Sequence, residues 1–205
     1  MSTTSSIDVI EDIEDEGWEV ISTPSPKTST IEIERKFIVP DNFHEKIIAQ
    51  GYQMQKVYDE VLVDKYYDTH EHVLINNDYW LRQRNGDWEL KYPVGSSHEQ
   101  GSSVYHETTC LEEINNRISP FLPNCDLKKL LDNGKLKAFA HLETKRKNYT
   151  KEDVNIVIDA TDWGHIVGEI EIVVTETNSI AEATQRIEKI AASLGNSLKQ
   201  NLVNI

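Results

Sequence analysis

Glu32, Glu34 and Lys36 occupy every second position of the stretch Ile31-Glu32-Ile33-Glu34-Arg35-Lys36-Phe37. Successive side chains of a β-strand point to opposite faces, so two carboxylates and an ammonium share one face, while Ile31, Ile33, Arg35 and Phe37 share the other. A face so charged is not an ordinary core. It requires water, or a site where metal ions and anionic groups neutralise it. The device recurs: Arg82 and Arg84 alternate in YWLRQR, Glu89 and Lys91 in WELK, Glu169 and Glu171 in VGEIEIVV. Any single pair fits a solvated strand face. Together they are sorted by sign, with acids at 32, 34, 169 and 171 and bases at 36, 82, 84 and 91. That is the composition of a site for a polyanion and its metal.

The totals bound the rest. A chain of 205 residues, 27% charged and 38% hydrophobic, suits one globular domain with some length left for a tail. A net charge of −14 argues against a nucleic-acid scaffold, whose affinity would need a broad basic surface, so any phosphate site must be local. The two cysteines, Cys110 and Cys125, form neither a CxxC pair nor a disulfide framework. No apolar run approaches the roughly 20 residues of a membrane helix, and the N-terminus lacks the pattern of a secretory signal. The expectation is a cytoplasmic protein with no membrane or nucleic-acid partner.

Residues 1–29 hold seven acidic residues against Lys27 alone, with Pro24 and Pro26 near the end, and read as a disordered acidic tail. Within it Trp18-Glu19-Val20-Ile21 resembles the aromatic-x-x-aliphatic motifs that add a strand to ubiquitin-like autophagy receptors. Such short patterns are common by chance, and an unspecific tail is the plainer reading. The folded region, 30–205, is predicted to be mostly strands: 31–39, 53–67, 79–84, 87–92, 104–109, 137–149, 154–160 and 166–176. Asn85-Gly86 is a hairpin signal. Short helices are expected from Asp41, as the cap, to Gln50, and over 111–118 and 126–132. A longer final helix should be capped by Ser179 and Glu182, carry a stripe of Ile180, Ala183, Ile187, Ile190, Ala191 and Leu194, and end at Gly195. About eight strands, polar on one face and without strand-helix alternation, favour a mainly β fold of α+β type: an eight-stranded antiparallel β-barrel with flanking helices. A barrel closes its own edges, so a monomer is expected.

The ExExK strand at 32–36, YYDT at 66–69, the WLRQR and WELK hairpin at 80–91, TKR at 144–146 and DATDWGHIVGEIE at 159–171 together resemble the CYTH, or triphosphate tunnel metalloenzyme, superfamily, most closely its eukaryotic thiamine triphosphatase branch. The resemblance runs from residue 31 to about 195. It implies a tunnel whose lumen binds a small-molecule triphosphate and one or two Mg²⁺ ions, and whether Mn²⁺ can substitute is left open by the sequence. Transferred by motif, Glu32, Glu34, Asp159, Glu169 and Glu171 fall at the metal-binding acids, and Lys36, Arg82, Arg84, Lys91 and Arg146 at the phosphate-binding bases. The residue types suit these roles: Mg²⁺ takes oxygen ligands, and guanidinium forks bind phosphate oxygens bidentately.

The implied reaction is attack of water on the terminal phosphorus, with a dyad of Lys36 and Tyr66 organising that water. Trp80 matches a position at which an indole would stack on the cationic ring of thiamine. The family's thiamine enzymes also place a lysine from a C-terminal helix towards the triphosphate; Lys199 is the nearest candidate here, at a short spacing, and the role is not transferred to it. His70 and His72 read as a surface loop, Glu89 and Glu107 as partners of tunnel bases or of surface lysines, and Trp88 and Trp163 as packing residues. An inorganic tripolyphosphatase and a noncatalytic polyphosphate-binding module are the alternatives.

Overall fold

The computed structural model describes residues 30–55, 60–99, 101–123 and 126–194. The acidic tail with its Trp18–Ile21 segment, Cys125, Gly195 and Lys199 lie outside these residues. Among the described residues, alternation of apolar and charged side chains accompanies nine strands: β1 (Thr30–Phe37), β2 (Gln53–Met54), β3 (Glu60–Asp68), β4 (Trp80–Arg84), β5 (Asp87–Glu99), β6 (Ser102–Thr108), β7 (Lys137–Lys151), β8 (Val154–Thr161) and β9 (Ile166–Val174). Eight of them form an antiparallel ring in the order β7-β3-β4-β5-β6-β1-β9-β8, closed by pairing of β8 with β7. The two-residue β2 rests on β7 outside the ring.

The predicted strand over 53–67 is therefore two strands, and β5 runs past position 92 to Glu99. The Asn85-Gly86 step is the β4–β5 hairpin turn, both residues having positive φ, 52° and 96°, beside the Arg84–Asp87 pair.

Four α-helices among the described residues cover the outside: α1 (Phe43–Ala49), α2 (Leu111–Ile118), α3 (Leu127–Asp132) and α4 (Ile180–Leu194). They bury the apolar strand faces in two clusters. Ile31, Ile33 and Phe37 of β1, with Ile156, Ile170 and Ile172, pack against Phe43 and Ile47 of α1 and Ala183, Ile187, Ala191 and Leu194 of α4. Leu81, Leu90 and Tyr92 pack against α2 and α3 through Ile114, Ile118, Leu127 and Leu130. Each fully buried isoleucine contributes about 1.5–3 kcal/mol. Because helices take the apolar faces, the charged faces are left to the lumen.

Two predicted caps differ. The α1 N-cap is Asn42, without a side-chain cap bond, and the chain enters the helix through a Phe43 N–H donated to the Pro40 carbonyl at 2.9 Å. Ser179 sits in a short 3₁₀ turn before α4, where its hydroxyl bonds Asn178 and does not complete a capping box. By contrast Asp126 caps α3, accepting from Lys128 N–H at 3.0 Å.

Candidate active site

Alternation along the strands delivers one ring of polar side chains to the barrel interior. A lumen of about 260 Å³ is lined by all twelve residues singled out from the sequence: Glu32, Glu34 and Lys36 of β1, Tyr66 of β3, Trp80, Arg82 and Arg84 of β4, Lys91 of β5, Arg146 of β7, Asp159 of β8, and Glu169 and Glu171 of β9. β4 and β9 are four strands apart whichever way the ring is followed, so the arginine strand faces the glutamate strand across the lumen.

Most of these charges pair with a cross-strand neighbour. The Arg146 guanidinium donates bidentately to Asp159, at 2.8 and 2.6 Å, and Arg84 does the same to Asp64, at 2.9 and 2.8 Å. Lys36 Nζ lies 2.8 Å from Glu34 and 3.0 Å from Glu169. Lys91 bridges Glu32 and Glu34, the latter at 3.0 Å. Burial alone would weaken the Lys36 ammonium, but Glu169 and Glu34 outweigh it and hold the group above the ordinary lysine range. Burial likewise opposes the charge on Lys91, which Glu34 and Glu32 more than restore.

Arg82 is the least satisfied of the bases. It is 8% exposed, pairs with Glu89, lies 3.7 Å from Glu107, and donates to the Tyr66 hydroxyl at 3.2 Å. Its Nε–H is buried without an acceptor among the described residues. A donor removed from water and left unpaired costs free energy that an anionic oxygen would recover.

The acids carry the opposite imbalance. Glu171 is held well above the usual carboxylate range by burial and by the charges of Glu32 and Glu169. A proton thus relieves repulsion that a hard divalent cation with oxygen ligands would also relieve, so the donor set at Glu32, Glu169 and Glu171 fits such an ion. Glu32 is paired with Lys91, Glu169 with Lys36, Glu34 with both ammoniums and Asp159 with Arg146, so all four would have to exchange partners to ligate. No three acidic, histidine or cysteine side chains among the described residues already stand in a ligating arrangement.

Glu89 and Glu107 flank Arg82 rather than surface lysines. Burial raises Glu107 to about 8 against the pull of Lys91, with Glu32 and Glu89 adding repulsion. Burial opposes the charge of Glu89, but Arg82, the hydrogen bond with Glu107, Arg84 and Lys91 together outweigh it and lower it to about 2. At neutral pH Glu107 is therefore the protonated member and Glu89 the anion. The folded protein holds the Glu107 proton more tightly than the unfolded chain, whose ordinary value is 4.5, so this residue costs stability increasingly as pH rises from about 4.5 to about 8. Glu107→Gln is expected to raise the melting temperature of the metal-free protein at pH 8.5 and to leave it unchanged at pH 4; an equal shift at both would contradict the assignment.

Lys36 and Tyr66 both line the lumen, but no hydrogen bond joins them: the lysine is on Glu34 and Glu169, and the phenol faces Arg82. Trp80 is fixed by a 2.9 Å bond from its Nε1–H to Asp78, which also accepts from the Tyr105 hydroxyl at 3.0 Å. Its ring lies edge-on to Tyr66, with centroids 6.4 Å apart. The buried Asp68 carboxylate accepts from the backbone of Thr69, Leu74 and Ile75, holding the loop that brings Asp78 to this position. His70 and His72 are exposed and outside the lumen.

Trp88 packs on Tyr67, with centroids 4.9 Å apart, in the apolar cluster beneath α2 and α3. Trp163 corrects the packing expectation: it is 56% exposed and lines the lumen. Sequence reasoning also passed over Asp64, Tyr105, Thr144 and Thr161, which line the same cavity. Asp64 was within reach, since it stands two positions before Tyr66 on the same strand face.

The CYTH domain model matches residues 30–203. The chain is 28% identical over 180 residues to the thiamine-triphosphatase of Homo sapiens, covering 80% of this chain and 77% of that protein. The thiamine-triphosphatase of Macaca fascicularis is 29% identical over the same length and shares. A solved structure of a Pyrococcus horikoshii protein superposes with a TM-score of 0.57 at 23% identity, covering 83% of this chain and 94% of that one.

Proposed function

The chain belongs to the CYTH domain family, and from that premise we propose that its lumen binds thiamine triphosphate and hydrolyses it to thiamine diphosphate and phosphate. The observation that carries a triphosphate site is Arg82, whose buried Nε–H lacks an acceptor in a lumen that also presents Lys36, Arg84, Lys91 and Arg146. Phosphoryl transfer depends on alignment and charge stabilisation more than on covalent chemistry, which is what such a wall supplies. Thiamine as the organic group rests on the two relatives and on Trp80 at the rim.

In this reading Arg82, Arg84, Lys91 and Arg146 hold the phosphoryl oxygens, exchanging part of their contact with Asp64, Glu89 and Asp159 for substrate. Glu171, with Glu32, Glu34, Asp159 and Glu169 after their pairs with Lys91, Lys36 and Arg146 open, would hold one or two Mg²⁺ ions. When bound, the cation supplies further neutralisation of charge developing on the phosphoryl oxygens. The water oxygen bonds to the terminal phosphorus as the bond to the bridging oxygen breaks; the bridging oxygen leaves with the electron pair on the diphosphate, and the water's protons leave with the released phosphate. Lys36 and Tyr66 are proposed to orient that water, Tyr66 acting from beside Arg82 and Lys36 from its acid pair.

Phosphate release should require the divalent ion and stop on chelation; release that ignores the chelator, or no release from any triphosphate, would contradict the proposal. Trp80→Ala should lower kcat/KM for thiamine triphosphate by roughly 2- to 30-fold, the range of a cation-π contact, and spare inorganic tripolyphosphate. Equal losses on both substrates would remove Trp80 from substrate selection.

A further inference from the structure

The turn between β8 and β9 carries an aromatic pair whose place the tunnel chemistry described above leaves unexplained. The indole of Trp163 stacks on the imidazole of His165, with centroids 5.2 Å apart and ring planes 13° apart. Both rings line the lumen, yet Trp163 is 56% exposed and belongs to neither apolar cluster. Its position is not that of a loose loop. Thr161 N–H donates to the His165 carbonyl at 2.9 Å, His165 N–H to the Thr161 hydroxyl at 3.0 Å, Gly164 N–H to the Thr161 carbonyl at 3.0 Å, and Asp162 N–H to Glu143 at 3.0 Å. Gly164 has φ +90°, a conformation that closes the turn without Cβ strain.

The pair continues the row of deep acids: His165, directly before β9, and Val167, Glu169 and Glu171 of β9 all line the lumen. At about 3.3 Å per residue, roughly 13 Å of strand separates His165 from Glu169. The row passes from aromatic rim through an apolar step to carboxylates. Trp80, at the start of β4, and the β8–β9 turn are directed to the same end of the barrel, that at which β3 finishes and β7 begins, with Thr161 at the end of β8 paired to Thr144 at mid-β7.

We propose that the Trp163–His165 stack is a second aromatic platform, which takes the flat, cationic heteroaromatic end of the substrate while its phosphates lie deeper among the bases. The proposal rests on the thiamine triphosphatase reading for the identity of that ring. The chemistry fits: an indole face attracts a cation, the stacked imidazole extends the surface, and an exposed, fixed aromatic beside an anion site gains stabilisation when a ring covers it. The platform adds nothing for a bare phosphate chain.

The test is the dissociation constant, with Mg²⁺, of two ligands that differ only in the organic group, thiamine diphosphate and inorganic pyrophosphate, for the wild type, Trp163→Ala and Trp163→Phe. Neither ligand is a substrate of the proposed reaction. Trp163→Ala should weaken thiamine diphosphate by about fivefold, with pyrophosphate unchanged and the phenylalanine variant between. Equal weakening of both ligands, no weakening, or a wild type that binds the two alike would overturn the platform. The selective loss in a protein that fails to hydrolyse thiamine triphosphate would keep the platform and discard the hydrolase reading. Hydrolysis of thiamine triphosphate with no selective loss would do the reverse.

Discussion

Lys91→Ala is expected to lower kcat/KM for a triphosphate substrate by roughly 10²-fold or more, the scale of losing one preorganised charge-stabilising group. The same substitution should cost about 3 kcal/mol of stability, because it leaves two buried carboxylates without their shared counter-ion. Glu32 is 6% and Glu34 3% exposed, and Lys91 stands between them. In the wild type burial raises Glu34, but Lys91 and Lys36 outweigh it and hold it below its ordinary 4.5, so its stabilising contribution is present at neutral pH and is lost as pH falls through the lowered value. Without Lys91 that benefit is reduced, and the stability deficit should be larger at pH 8 than at pH 4. Mg²⁺ should stabilise the variant at least as much as the wild type, since uncompensated carboxylates gain from a cation. Urea unfolding with and without Mg²⁺ checks this; a variant as stable and as active as the wild type would refute the paired-charge description of the lumen.

Gly168→Ala should be the most damaging small change to the fold. Gly168 pairs directly with Phe37 between β9 and β1, and a Cβ built there would lie inside the van der Waals envelope of the Phe37 ring. Phe37 is fully buried and packs on Phe43, with centroids 5.1 Å apart, so the ring has little room to yield. Overpacking of this kind costs about 1–3 kcal/mol, or roughly 3–10 °C of melting temperature in a domain of this size. Adding Phe37→Leu should recover part of the loss, a non-additivity expected only if the two sites clash. An unchanged melting temperature for the single variant would show that the contact is not rigid.

Much of this was legible because a barrel with a charged interior writes its period of two directly into the chain. The positions 32-34-36, 82-84 and 169-171 announce which face turns inward, whatever the register. Register itself is not in the pattern. The two-residue turn at Asn85-Gly86 does set Arg82 opposite Glu89, but nothing in the alternation says that Arg146 meets Asp159 or that Tyr66 faces Arg82 rather than Lys36. Turn chemistry was readable at Asn85-Gly86, where positive φ is required, and misleading at Asp41 and Ser179, where neighbouring backbone groups satisfy the helix start. Trp163 was misread because a tryptophan in a strand-turn segment fits a core as well as a rim. Only the closing of β8 and β9 around Gly164 turns it to the lumen.

The most direct measurement is phosphate release by the purified protein with Mg²⁺, comparing kcat/KM for thiamine triphosphate, inorganic tripolyphosphate and ATP in one assay. The account predicts turnover with a marked preference for thiamine triphosphate. A preference for bare tripolyphosphate would make the protein an inorganic tripolyphosphatase with an idle rim, and no turnover of any of the three would contradict hydrolysis in this lumen altogether.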